Sequence, residues 1–176
     1  MRFVETSIAG AFLIETDLIP DNRGAFACAF DEREFTLRGL NTHWKQHNFS
    51  QNVRRGTLRG MHFQLPPHEE VKLVWCPRGA IHDVVLDVRE ASTNRGQWAA
   101  FELTADNGRL LYIPAGAAHG FQTLANDTTV SYLVSAHFHP PSARGVRFDD
   151  PAFSILWPIR DPILSAKDQG YPRVQF

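Results

Sequence analysis

The chain has 176 residues, enough for one domain with a full core and short for two, and 43% of them are hydrophobic. Eighteen basic against nineteen acidic side chains leave a formal charge of -1, so no global field draws nucleic acid or an anionic membrane and any anionic ligand must be held locally. The two cysteines, Cys28 and Cys76, make no CxxC or CxxH pattern, which excludes a disulfide framework and a zinc site and reads as two buried thiols.

The opening stretch MRFVETSIAGAFLIET carries acidic residues where a signal peptide needs an apolar core, and no apolar run approaches the roughly 20 residues of a membrane span. A cytoplasmic protein without membrane or nucleic-acid partners is expected. Residues 2–18 alternate loosely and read as one or two strands that stop at Pro20. Asp21, Asn22 and Gly24 then form a turn, and Phe26, Cys28 and Phe30 share one face of the strand that follows, opposite Ala25, Ala27 and Ala29. Residues 31–40 carry Asp31 with Glu34 three positions on, a capping-box pattern, and Gly39 near the end, so they predict a short helix.

From His43 onward the pattern is short β-prone runs: HWKQHNFSQ, TLRGMHFQ, VKLVWCP, AIHDVVLDVR, QWAAFELT, RLLYIP, HGFQTLA and TVSYLVS. Turn residues sit between them at Arg78-Gly79, Asn94-Arg95-Gly96, Asp106-Asn107-Gly108 and Asn126-Asp127. Eight runs at roughly ten-residue spacing predict an all-β sandwich or barrel. Pro-rich loops and a short LSAKDQ turn that Ser165 can cap close the chain, and the tail is expected to fold back over the barrel.

Most of the candidate chemistry lies between Thr57 and Val74, which reads as two strands joined by a Pro-Pro-His-Glu-Glu loop. His62 and Gln64 share a strand face by the period of two, and Lys72 on the neighbouring strand approaches that face, so a base and a fixed cation converge. A bulge at Gly60 would bring Arg59 and His62 onto one side. In HWKQHNFSQ, Gln46, Asn48 and Ser50 share a face with Trp44; an interior lined by amides and a hydroxyl is a ligand cavity rather than a core.

The segment IPAGAAHGF places His119 at a spacing, P-x-G-x-x-H, similar to the second motif of cupin barrels, where that histidine binds metal. The first motif would pair two histidines, but here Gln64 follows His62, and an amide is a poor ligand for a transition metal. A cupin barrel without metal or other cofactor is favoured. A metal set of His62, Glu69 or Glu70, and His119 stays as the alternative.

Taken together, DNRGAF, QHNFSQ, LRGMHFQ, KLVWCPRGAIHDVVLDVR, YIPAGAAHGF, RFDDP, ILWP and SAKD resemble the dTDP-4-dehydrorhamnose 3,5-epimerases, a metal-independent branch of the cupins, over almost the whole chain. The resemblance implies a single cupin domain over residues 1–176, a jelly-roll β-barrel with short peripheral helices. It also implies a homodimer that exchanges or pairs N-terminal strands, and a nucleotide-diphosphate 4-keto-6-deoxy sugar as substrate. His62 would then remove the proton α to the 4-keto group, Asp168 would orient it, and Lys72 would stabilise the enolate oxygen. Arg59, His119, Gln46 and Asn48 would hold the diphosphate and sugar, and Arg23 with Phe26 would contact the nucleotide from this subunit or its partner.

Two departures accompany the resemblance. The family's proton-donating tyrosine is expected in a context like A-x-Y-x-P, and SAHFHPP places Phe138 there, with His137 and His139 on the other face of a regular strand. Cys28 stands where the family usually has an acidic residue near the nucleotide. Three functions follow: an epimerase acting at C3, C5 or both with a substitute acid, a nucleotide-sugar-binding relative that exchanges a proton without inversion, and a metal-dependent cupin.

Overall fold

The computed structural model describes residues 1–173. The chain begins with β1 (Arg2–Glu5), β2 (Phe12–Glu15), β3 (Ile19–Asp21), β4 (Gly24–Phe26) and helix α1 (Glu32–Thr36). The eight β-prone runs become β5 (Gln46–Asn52), β6 (Leu58–Gln64), β7 (Lys72–Arg78), β8 (Ala80–Leu86), β9 (Trp98–Thr104), β10 (Arg109–Ile113), β11 (Ala118–Thr123) and β12 (Thr128–Val134). A short β13 (Ala143–Gly145) and helix α2 (Ala166–Gln169) come last.

Two antiparallel sheets face each other in the jelly-roll arrangement of a cupin barrel. One has the order β1-β2-β10-β7-β12-β5 and the other β13-β6-β11-β8-β9. Alternation along each strand decides what lies between them. Leu13, Val74, Leu111, Ile113 and Val130 point inward from the first sheet and meet Ile81, Val85, Leu103 and Phe121 of the second. Outside the first sheet, Ile14, Leu73, Leu110 and Tyr112 are covered by Phe35 of α1. Outside the second, Met61, Val84 and Leu86 are covered by Val146, Phe153, Ile155 and Trp157, so the tail does fold back over the barrel. Burial on both faces explains why several of these strands read as nearly continuous apolar runs.

The interior changes character across the first sheet. Register places Gln46, Val134, Lys72 and Ile113 in one row, and Asn48, Tyr132, Val74 and Leu111 in the next. The β5 end of each row is therefore polar and the β10 end apolar. On the opposite sheet, β11 pairs His119 with His62 and Phe121 with Arg59, so a step of two along β11 matches a step of three along β6. This bulge brings Arg59 and His62 to one side, as expected. Gly60, at φ +145°, sits in it, and a Cβ there would lie 2.5 Å from the Cα of Gly120. Only glycine permits that approach.

Several expectations are corrected. The strand expected through Phe30 ends at Phe26, because β4 pairs only with β3 in an exposed hairpin; Phe30 instead packs on Phe35 and Trp44. Cys28 is exposed rather than buried, while burial pushes the thiol of Cys76 up to about 11. At α1, Asp31 accepts from the Arg33 N–H, but Glu34 pairs with Arg38 instead of completing a capping box. Strand β12 stops at Val134, so the parity argument for His137 and His139 does not apply; His139 precedes a short 3-10 turn at Pro140–Ser142.

Candidate active site

His62 lies near the C-terminal end of β6, with its ring 39% exposed. Its Nε2 is 2.6 Å from Oδ1 of Asp168, a carboxylate delivered by α2 from the far end of the chain. Ser165 fixes that helix by accepting the Asp168 N–H at 3.1 Å, the cap the sequence suggested. Burial works to raise the carboxyl pKa of Asp168. The hydrogen bond and charge of His62, with hydrogen bonds from Ser165 and the Gly60 backbone, outweigh it and hold the carboxyl below its ordinary value. Asp168 is therefore an anion at neutral pH that accepts a hydrogen bond from the Nε2–H of His62, which leaves Nδ1 as the lone-pair nitrogen.

The facing sheet supplies a cation and a phenol. Lys72 is buried, and its Nζ lies 3.1 Å from Oε1 of Glu70. The other oxygen of Glu70 accepts from Gln64 Nε2 at 3.1 Å. Gln64 also donates to the carbonyls of His68 and His137 and accepts the His139 N–H at 2.7 Å. Tyr132 is inward-facing in the row next to Lys72. Burial pushes its hydroxyl pKa up, Arg59 opposes this and Glu70 adds to it, so the phenol keeps its proton at neutral pH.

These groups line one cavity of about 270 Å³, with Gln46, Asn48, His62, Glu70, Lys72, Tyr132, Phe138 and Tyr171 in its wall. A larger cavity of about 550 Å³ on the other side of Phe63 contains none of the base, ammonium or phenol. Chemistry, not size, marks the smaller one. Of the residues singled out in the sequence, His62, Lys72, Gln46, Asn48 and Phe138 meet here, and Asp168 stands behind His62. Four others lie off this wall. Arg23 is exposed on the β3–β4 hairpin and paired with Asp21, and Phe26 is 70% exposed beside it. Arg59 donates from Nε to Asn52 Oδ1 at 2.8 Å. His119 is buried, with Nε2 2.7 Å from Asp83 Oδ1.

The cavity wall is not without a phenol. Phe138 sits at the cavity but is 61% exposed, in a loop beyond β12, whereas Tyr132 within β12 points into the interior. Period-two parity placed Tyr132 on the face of Val130 and Val134, which was a readable signal. The alternative metal set is not assembled, because each imidazole has its own carboxylate and Glu70 holds Lys72. Among the described residues, no three His, Cys, Asp or Glu side chains form a metal-holding group. No helix of the described residues is long and apolar enough to cross a membrane.

A cupin barrel that opposes a carboxylate-held histidine to a buried ammonium and an un-ionised phenol defines an isomerase working by proton transfer beside a carbonyl. The family model described as dTDP-4-dehydrorhamnose 3,5-epimerase matches residues 5–175. The chain belongs to that family. It is 43% identical over 173 residues to a dTDP-4-dehydrorhamnose 3,5-epimerase of Sinorhizobium fredii, covering 98% of this chain and 89% of the relative. Among solved structures, that of the Bacillus anthracis enzyme with TDP and pyrophosphate bound matches with a TM-score of 0.95 at 38% identity, covering 98% of this chain and 99% of that one. A 3'-monoepimerase from Streptomyces bikiniensis in complex with dTDP-quinovose matches with a TM-score of 0.89 at 34% identity, covering 95% and 85%.

Proposed function

We propose that the protein epimerises a dTDP-4-keto-6-deoxyhexose by removing a proton α to the 4-keto group. The observation that carries this reading is the His62–Asp168 pair facing Lys72 and Tyr132 across one cavity. Nδ1 of His62 takes the proton from carbon, and the C–H electron pair moves into the carbonyl to give an enolate. Asp168 stabilises the resulting imidazolium. The Lys72 ammonium stabilises the oxyanion, a contribution of about 3 to 4 kcal/mol for one preorganised donor. Tyr132 projects from the opposite sheet, so its O–H delivers a proton to the other face of the enolate and inverts the carbon. Solvent then returns a proton to the phenolate, and His62 releases its own. In the 3'-monoepimerase from Streptomyces bikiniensis, a double mutant replaces a histidine and a tyrosine with the same separation in the chain as His62 and Tyr132. That spacing supports the assignment.

The cavity falls just under the roughly 300–1,000 Å³ of typical small-molecule pockets. In this reading the sugar enters it, against Gln46, Asn48 and Phe138, while the nucleotide lies outside. Arg59 and His119 support the cavity from behind, and Arg23 and Phe26 reach the nucleotide of a second copy. The exposed β3–β4 hairpin, with Ile19 and Phe26 on its surface, supports such a homodimer. Sedimentation at micromolar concentration that returns a monomer would remove this part of the proposal.

The test of the reaction is proton NMR with dTDP-4-keto-6-deoxyglucose in D₂O. Deuterium at C3, C5 or both, with changed ring couplings, is expected and names the positions inverted. No exchange at either carbon would sink the assignment.

A further inference from the structure

We infer that Glu70 is a positioning residue for Lys72, holding the ammonium at the place where the oxyanion forms. This rests on the reaction proposed above. Lysine carries its charge on a flexible four-carbon stem and needs an anchor to act as a preorganised donor. Here the anchor is a single carboxylate with both oxygens committed: Oε1 to Lys72 Nζ at 3.1 Å, Oε2 to Gln64 Nε2 at 3.1 Å. Side-chain exposures of 8% for Lys72 and 15% for Glu70 place the pair where water screens it little.

What makes Glu70 more than a neutralising partner is the support behind it. Gln64 is buried and fixed at both ends of its amide, donating to His68 O at 2.9 Å and accepting His139 N–H at 2.7 Å. Its amide therefore ties the loop before β7 to the loop after β12. Stacking of the His68 and His139 rings, with centroids 3.7 Å apart, joins the same two loops a second time. The position of Nζ is thus set by backbone on two sides of the cavity. The contact is an ion pair, and an ammonium has three N–H donors, so Nζ can stay beside Glu70 and still offer donors to a ligand oxygen. The carboxylate also opposes charge growing on an enolate, so a residue in this place is useful only if aim matters more than potential.

Steady-state rates with dTDP-4-keto-6-deoxyglucose, beside calorimetric affinity for dTDP, separate these effects in wild type, Lys72→Ala, Glu70→Ala and Glu70→Gln. Glu70→Ala is expected to lose about 10- to 100-fold in kcat, as for a misplaced catalytic group, with KM and dTDP affinity little changed. Glu70→Gln keeps an oxygen for Nζ and should recover most of that loss. Equal losses in the two variants assign the effect to charge and overturn the inference. So do an unchanged or raised kcat, a loss confined to KM, or a lowered melting temperature with kcat intact. A severe Lys72→Ala defect beside a silent Glu70→Ala overturns this inference alone, whereas Lys72→Ala at the wild-type rate overturns the role of Lys72 in the reaction as well.

Discussion

The barrel contains two His–Asp pairs on neighbouring strands. His62 and His119 are register partners in β6 and β11, and their Nε2 atoms lie 2.6 and 2.7 Å from Asp168 and Asp83. The bond is nearly the same in each, but access differs. The His62 side chain is 39% exposed toward the cavity, while that of His119 is 9% exposed and Asp83 is fully buried, with Oδ2 lacking a partner. A carboxylate held against an imidazole is therefore not by itself a catalytic pair. The free ring nitrogen must also meet a place where a substrate can sit and an acid that answers it from the far side.

The comparison is broken most directly by His62→Ala. Loss of the base should lower turnover by about 10²- to 10⁴-fold or more in protein that still folds, with a smaller loss of stability than at His119, because the half-exposed His62 ring leaves an opening through which water reaches Asp168. Asp168→Asn should approach the same loss, through the wrong tautomer rather than a missing base. Next comes Tyr132→Phe, which should cut inversion by about 10²- to 10⁴-fold yet leave deuterium entry measurable, since His62 still removes and returns the proton on one face. If inversion persists at the wild-type rate, another group is the acid.

His119→Ala should do the reverse of His62→Ala. It strands Asp83 in the interior, and breaking a buried pair typically costs about 3 to 5 kcal/mol, read as a lower urea midpoint with a much smaller effect on the rate of the folded enzyme. A turnover loss as large as that of His62→Ala, without loss of stability, would place His119 in the chemistry.

The smallest effect is on pH dependence. The Asp168 carboxyl is depressed in the folded state, so its contribution to stability is present above the unfolded value of about 3.8 and is lost as pH falls through the lower folded value. The stability gap between wild type and Asp168→Asn should hold from neutral pH to about pH 4 and narrow below it, measured by urea midpoints. A gap that closes already near neutral pH would mean that the carboxyl is not depressed.

Much of this was legible in the residues themselves. Strands β5 to β12 could be read because turn residues punctuate them and each buries a face. His62, Lys72 and Asp168 stood out through the resemblance of their motifs. Three things were not legible, each for a physical reason. Parity puts Tyr132 with Val130 and Val134 on the apolar face of TTVSYLV, but nothing in the strand says that this face meets a polar cavity as well as the core. Glu70 sits in a polar loop that reads as solvated, and only the fold turns it toward Lys72. His119 and Arg59 carry polar side chains in motifs that suggest ligand contact, and their pairing with Asp83 and Asn52 could not be read from those motifs.

The helix that carries Asp168 is the last regular element among the described residues, and its carboxylate meets a histidine 106 positions earlier. During synthesis, all strands of both sheets leave the ribosome before this helix does. The strands can thus pair while His62 still lacks its orienter, but the cavity wall is complete only when Tyr171, which follows Asp168, is in place. Orientation of His62 and completion of the cavity wall therefore arrive together, carried by one short stretch of chain from Ser165 to Tyr171.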